Sequence, residues 1–193
     1  MALDQAIQQG ETARRQAGER VSGGFPLTEE LARAFAERWQ IAWNSRRAEE
    51  VAALCTDDVL WEDPLTEGPE QGKTAVTAYL ESTWRTFPDL EFTWSEGPYC
   101  SFERTKLACH WHVTGTMTGP VEPEGFAPTG RRMEADGVDL LELRDGLVCS
   151  YVGFFDARGM AQQIGVMPAR GSRAERIAVT LQRLGTRIGG RKR

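Results

Sequence analysis

Residues 38–64 read RWQIAWNSRRAEEVAALCTDDVLWEDP, and the order of signals within them decides the fold. Just upstream, Thr28-Glu29-Glu30-Leu31 opens a helix. Thr28 is its N-cap, because a short hydroxyl side chain can satisfy a backbone N–H that the helix leaves free. Leu31, Phe35, Trp39, Ala42 and Trp43 recur at helical spacing, so one face of this helix is strongly apolar. A second, shorter helix is predicted over about 48–55. Val59 to Asp63 then reads as a strand, and Pro64 ends it.

Downstream, Gly72 starts a third helix that runs to about Phe87, where Pro88 stops it. After Pro88 the apolar period changes to two. Strands are predicted over 90–96, 99–103, 105–118, 131–144 and 147–156, with Asp145-Gly146 as a tight hairpin turn. Residues 119–130, GPVEPEGFAPTG, hold three prolines and three glycines and read as a loop. A short helix near 157–165 and a basic amphipathic helix near 172–188 follow. Three helices and then a run of strands is an α+β layout, with the helices filling one face of a curved antiparallel sheet. Residues 1–24 read as a flexible arm, 25–168 as the folded domain and 169–193 as a basic C-terminal helix.

The 193 residues are 40% hydrophobic and 26% charged, an ordinary balance for a globular domain. All six tryptophans, Trp39, Trp43, Trp61, Trp84, Trp94 and Trp111, lie in the first two-thirds and suggest a broad aromatic interior. No apolar run is long enough to span a membrane, and residues 1–20 lack the apolar stretch of a signal peptide, so a soluble, cytoplasmic protein is expected. Cys55, Cys100, Cys109 and Cys149 show no CxxC spacing and read as reduced thiols rather than a disulfide or zinc site. The net charge of −5 is unevenly spread. Seven Arg and one Lys against one Glu give +7 to residues 170–193, which leaves −12 for residues 1–169. An acidic body argues against nucleic acid as the partner.

Strand alternation sorts the chemistry. In 133–143 one face carries Met133, Ala135, Gly137, Asp139, Leu141 and Leu143, so Asp139 is a lone carboxyl among apolar groups. Burying a carboxylate without a partner costs several kcal/mol, roughly, so it must find a partner or stay protonated. In the preceding strand Leu107, Cys109, Trp111, Val113 and Met117 share one face. His110 and His112 lie on the other, where they read as part of a polar outer face rather than as metal ligands. Val59, Trp61 and Asp63 share a face, and Asp63 beside Pro64 fits both a turn cap and a functional acid. Gly153, between Tyr151 and Phe155, leaves space of the kind a ligand cavity requires.

The 38–64 stretch resembles the opening of ketosteroid isomerases and SnoaL-like polyketide cyclases, members of the nuclear transport factor 2-like superfamily. PTGRR (128–132) and GVDLLELRDGLV (137–148) extend the resemblance over roughly 28–167. It implies a cone-shaped, cystatin-like α+β barrel. It also implies that Asp63 is the general base and that Asp139 is a neutral acid donating to an enolate oxygen, a division of labour set by environment. The tyrosine that these isomerases carry on the first helix is Trp39 here, and Tyr151 is the candidate replacement hydroxyl. Met117 stands where the cyclases place a histidine.

The expected function is therefore a cofactor-independent, metal-independent enzyme acting on a hydrophobic polyketide- or steroid-like molecule by isomerisation or aldol-type cyclisation. Asp63, Asp139 and Tyr151 are its candidate catalytic groups. Trp39, Trp43, Trp61, Trp111, Leu141 and Phe155 are its expected walls, and the 119–130 loop its cover. The two acids are expected to face each other across an open cavity. Epoxide opening by the same acid pair and non-catalytic ligand binding are the alternatives. A homodimer through the outer sheet face is expected from Val138, Leu140, Val152 and Phe154. On the last helix Ile177, Leu181, Leu184 and Ile188 form an apolar stripe edged by arginines. Docking on the acidic body or on the dimer partner is favoured over a membrane surface.

Overall fold

The computed structural model describes residues 27–101, 105–122 and 125–189, so the arm expected over 1–24 lies outside the described residues. Helix α1 (Glu29–Ser45) begins as the sequence predicts, with Thr28 Oγ1 accepting from the Leu31 N–H at 3.2 Å. Its buried face is Ala32, Phe35, Ala36, Trp39, Ala42 and Trp43; Leu31, placed on that face by its spacing, is exposed in the first turn. Arg46, at φ 55°, breaks the helix, and the short α2 (Ala48–Ala52) follows.

Strand β1 (Cys55–Glu62) starts four residues earlier than the alternation suggests. The register slips between Cys55 and Leu60, and such an irregularity erases the period-two signal over Asp57 and Asp58. The two-residue β2 (Glu70–Gln71) leads into α3 (Gly72–Thr86), which buries Val76, Leu80 and Trp84. Then come β3 (Glu91–Cys100), β4 (Lys106–Thr116), β5 (Arg132–Arg144), β6 (Leu147–Phe155), α4 (Ala157–Gln163) and α5 (Arg173–Gly189).

Within the described residues the expected strands 90–96 and 99–103 are one strand that ends at Cys100, residues 102 and 103 lying outside the described residues. Gly97-Pro98 is absorbed as register shifts between Trp94 and Tyr99 instead of ending it, which proline permits because β3 lies at the sheet edge. The sheet order is β2-β1-β6-β5-β4-β3. All neighbours are antiparallel except β1 and β6, which run parallel and close the amino-terminal strand against the carboxy-terminal hairpin. Helices α1 and α3 pack on the inner face, giving the cone.

Aromatic rings occupy the interior. Trp61 stacks on Tyr151 at a centroid distance of 3.7 Å and Trp39 stacks on Trp61 at 6.1 Å, while Trp43 meets Phe92 at 5.4 Å and Trp84 edge-on at 5.7 Å. The open interior cavity expected between the acids is therefore filled. Trp39 and Trp61 are fully buried, and residues assigned to the walls are themselves the packing. A cavity of about 450 Å³ lies instead on the outer face of the sheet, against Leu60, Glu62, Tyr99, Leu140, Glu142 and Val152.

The 119–130 loop is fastened at both ends. Thr118 and Gly119 donate to Thr86 O at 3.1 Å, and Thr86 Oγ1 donates to Pro120 O at 2.7 Å. At the other end Thr129 Oγ1 donates to Ile164 O at 2.7 Å, just after α4. Ile164 is buried in the core, with Met160 and Val166 packed against the core cluster, so the end of α4 ties the Thr129 end of this loop to the interior.

Candidate active site

The end of β1 delivers Asp63 into the core, and the fold uses its two carboxylate oxygens differently. Oδ1 accepts from the Leu65 N–H at 2.8 Å, the turn-capping contact that an aspartate before proline makes. Oδ2 accepts from Tyr79 Oη at 2.5 Å and from Trp61 Nε1 at 3.4 Å. The turn cap and the buried acid are thus the same residue. Every partner of the carboxylate is a donor, the set an ionised carboxylate accepts.

Tyr79 escaped the sequence reading. It stands on α3 three residues after Val76 and one before Leu80, so a hydroxyl on an otherwise apolar stripe was its available signal. Burial, and then the adjoining Asp63 charge, hold its hydroxyl well above the ordinary tyrosine range, so it remains a donor.

Asp139, at the centre of β5, is fully buried. Alternation along β5 finds no partner on its own face, but the neighbouring strands supply two. Trp111 Nε1 on β4 and Tyr151 Oη on β6 both donate to Oδ1, at 2.7 and 2.8 Å. Opposite Asp139 stand Cys109 and Gly153, while Trp111 pairs with Gly137 and Tyr151 with Leu141. The two donors are therefore diagonal neighbours, a relation that reading one strand does not reveal.

Two glycines make these contacts possible. A Cβ on Gly137 would sit 2.2 Å from Cζ2 of the Trp111 ring, and one on Gly153 would sit 2.9 Å from Tyr151 Oη and 3.1 Å from Asp63 Cβ. The space expected over Gly153 is thus taken by Tyr151 and Asp63. Those two groups, one bonded to Asp139 and the other belonging to the second acid, bracket a single missing methyl.

Burial dominates the electrostatics of Asp139. Asp139 is pushed up from 3.8 to about 7, chiefly by burial; the bonds from Tyr151 and Trp111 pull it down, and the negative charge of Asp63 raises it again. Its Oδ2 is buried without a partner, which suits a protonated acid whose Oδ1 accepts twice and whose Oδ2 carries the proton. Trp39 Nε1 is likewise buried without a hydrogen-bond partner, although it faces the Asp139 carboxyl closely enough to lower its pKa. Tyr151 is raised well above the ordinary tyrosine range by burial and by Asp139, then Asp63.

Of the other expected wall residues, Leu141 is fully buried beside Tyr151, its cross-strand partner. Phe155 reaches the core from the strand end, 5.7 Å from the Trp111 ring. Trp43 packs against Phe92 and Trp84 and, at 6.2 Å, against Trp61, so one ring separates it from Asp63. His110 and His112 face outward, bonded to Ser95 and Asp136 respectively. Among the described residues no group of three or more His, Cys, Asp or Glu could hold a metal ion.

A cone of helices on a curved sheet, with acids inside it, is the ketosteroid isomerase-like fold. The chain belongs to the SnoaL-like polyketide cyclase family, whose sequence model spans residues 33–164. Among solved structures it is similar to a protein from Jannaschia sp. CCS1 assigned as a SnoaL-like polyketide cyclase, with 18% identity and a TM-score of 0.63 over 76% of this chain and 100% of that one. TsrD from Streptomyces laurentii gives 20% and 0.61 over 73% and 99%. AclR from Streptomyces galilaeus, assigned as a hydroxylase, gives 19% and 0.61 over 84% and 98%. No curated protein matches the sequence. Among the described residues no helix is long and apolar enough to cross a membrane.

Proposed function

We propose that the protein is a small-molecule isomerase or cyclase that moves a proton next to a carbonyl group without a cofactor. The observation that carries this reading is the pair of buried acids in unlike surroundings. Asp63 is held among donors, and Asp139 is raised to about 7 with Oδ2 unpartnered. Asp63 takes the proton from carbon through Oδ2. Asp139 Oδ2–H and Trp39 Nε1–H donate to the oxygen on which negative charge develops, and Tyr151 and Trp111 fix the acid's orientation. The substrate class is a hydrophobic polyketide- or multi-ring ketone, admitted when α4 and the 119–130 loop part from the core.

The test is deuterium incorporation beside the carbonyl, followed by mass spectrometry in heavy water over a panel of poly-β-keto aromatics and β,γ-unsaturated polycyclic ketones. Wild type is expected to exchange at least one of them about 10²-fold or more faster than Asp63→Asn. Equal rates across the panel would remove the base assignment. The filled interior favours a second reading, a non-catalytic binding or assembly domain on the same fold. That reading stands if members of the panel raise the melting temperature and none exchanges.

A further inference from the structure

Two surfaces outside the acid site are left uncovered by the described residues. One is α5. Ile177, Leu181 and Leu184 fall on one side of this helix and are 60%, 63% and 48% exposed. Arg176 and Arg183 run along one flank of the stripe, and small Ala174, Ala178 and Gly185 along the other. The other is the outer-sheet cavity of about 450 Å³, whose apolar floor and walls come from Leu60, Leu140, Val152 and Tyr99. Leu140 and Tyr99 are 43% and 57% exposed there. Glu62, Glu142 and Lys106 also line it, Lys106 pairing with Glu142 at 3.0 Å, and Tyr99 Oη at its edge donates to Glu96 at 3.0 Å.

We infer that α5 of one copy lies in the outer-sheet cavity of a second copy, with Ile177, Leu181 and Leu184 against Leu60, Leu140 and Val152. Charge selects this pairing, since residues 170–193 carry +7 and residues 1–169 carry −12. No described residue of the helix's own chain covers the stripe. The first turn is held to its own body by the Arg158–Glu175 ion pair at 3.3 Å and by the Gly171 N–H to Glu175 Oε2 bond at 2.6 Å, yet the stripe beyond stands in solvent. Each copy offers one helix and one cavity, so a twofold arrangement satisfies both at once and closes without free ends. A lipid surface fits less well, because the stripe is narrow and α5 carries no Trp, Tyr or Phe to anchor it.

Cys100 provides a native reporter, being exposed and part of the cavity lining while the other three cysteines are buried. In full-length Leu181→Cys under mild oxidation, a disulfide between Cys100 and the introduced thiol is expected. It should run as a dimer on a non-reducing gel and vanish when Cys100→Ser is added. Light scattering at tens of micromolar should show a dimer for wild type and a monomer for Leu181→Asp, a change at an exposed position that leaves the body folded. An intramolecular disulfide, running as a monomer, would assign the cavity to the chain's own helix and overturn the inference. A monomeric wild type that sediments with phosphatidylserine vesicles would overturn it as well.

Discussion

Asp139→Asn is the most revealing single change, because it replaces a buried acid by a neutral amide of the same shape. The folded protein holds Asp139 at about 7 against an ordinary 3.8, so between those values the folded state binds a proton that the unfolded chain has released. The associated stability is fully present below pH ~3.8 and is lost as pH rises through ~7. At ~1.4 kcal/mol per pH unit, the whole rise is worth ~4 kcal/mol, an order-of-magnitude figure for a site with no exposure. The amide oxygen can accept from Trp111 and Tyr151 as Oδ1 does, and its NH₂ replaces the protonated Oδ2. Asp139→Asn should therefore match wild type near pH 4 and exceed it by several kcal/mol at pH 8. The gain corresponds to a rise of ~10 °C in Tm for a domain of this size. Urea unfolding of both proteins from pH 4 to 8.5 measures the difference directly. A difference that does not grow with pH would show that Asp139 ionises at its ordinary value, and the acid half of the mechanism would lapse.

Two further changes probe the same architecture. Trp111→Phe removes a hydrogen bond that lowers the Asp139 pKa, so the carboxyl should titrate above ~7 by carbon-13 NMR; an unchanged or lowered value would contradict the assigned geometry. Gly137→Ala puts a methyl where the Trp111 ring lies, and should cost ~1–3 kcal/mol while shifting tryptophan emission; full stability would mean that the ring is free to move aside.

Much of this arrangement was legible because it depends on local periodicity. The cap at Thr28, the stripe from Phe35 to Trp43 and the lone carboxyl at Asp139 each follow from residues within a turn or a strand. What the sequence hid is what depends on cross-strand geometry and volume. Trp111 and Tyr151 reach Asp139 diagonally from two other strands, and Tyr79 reaches Asp63 from a helix 16 positions away. Gly153 reads as vacancy in one dimension, yet in three it is the groove through which Tyr151 and Asp63 approach each other. Counting tryptophans identified the lining of the interior without showing that the rings also fill it. The exposure of Ile177, Leu181 and Leu184 on their own chain depends on where α5 leaves the body, and periodicity carries no information about that.

The two margins of the sheet have a consequence for how the protein behaves when concentrated. At one margin β2 has only two residues; at the other β3 is broken by register shifts, lacks an N–H at Pro98 and carries Glu91 and Glu96. Neither margin presents a flat, continuous row of free peptide groups, so neither is a good template for adding a foreign strand. Fibrillar, edge-to-edge growth is disfavoured by the backbone itself.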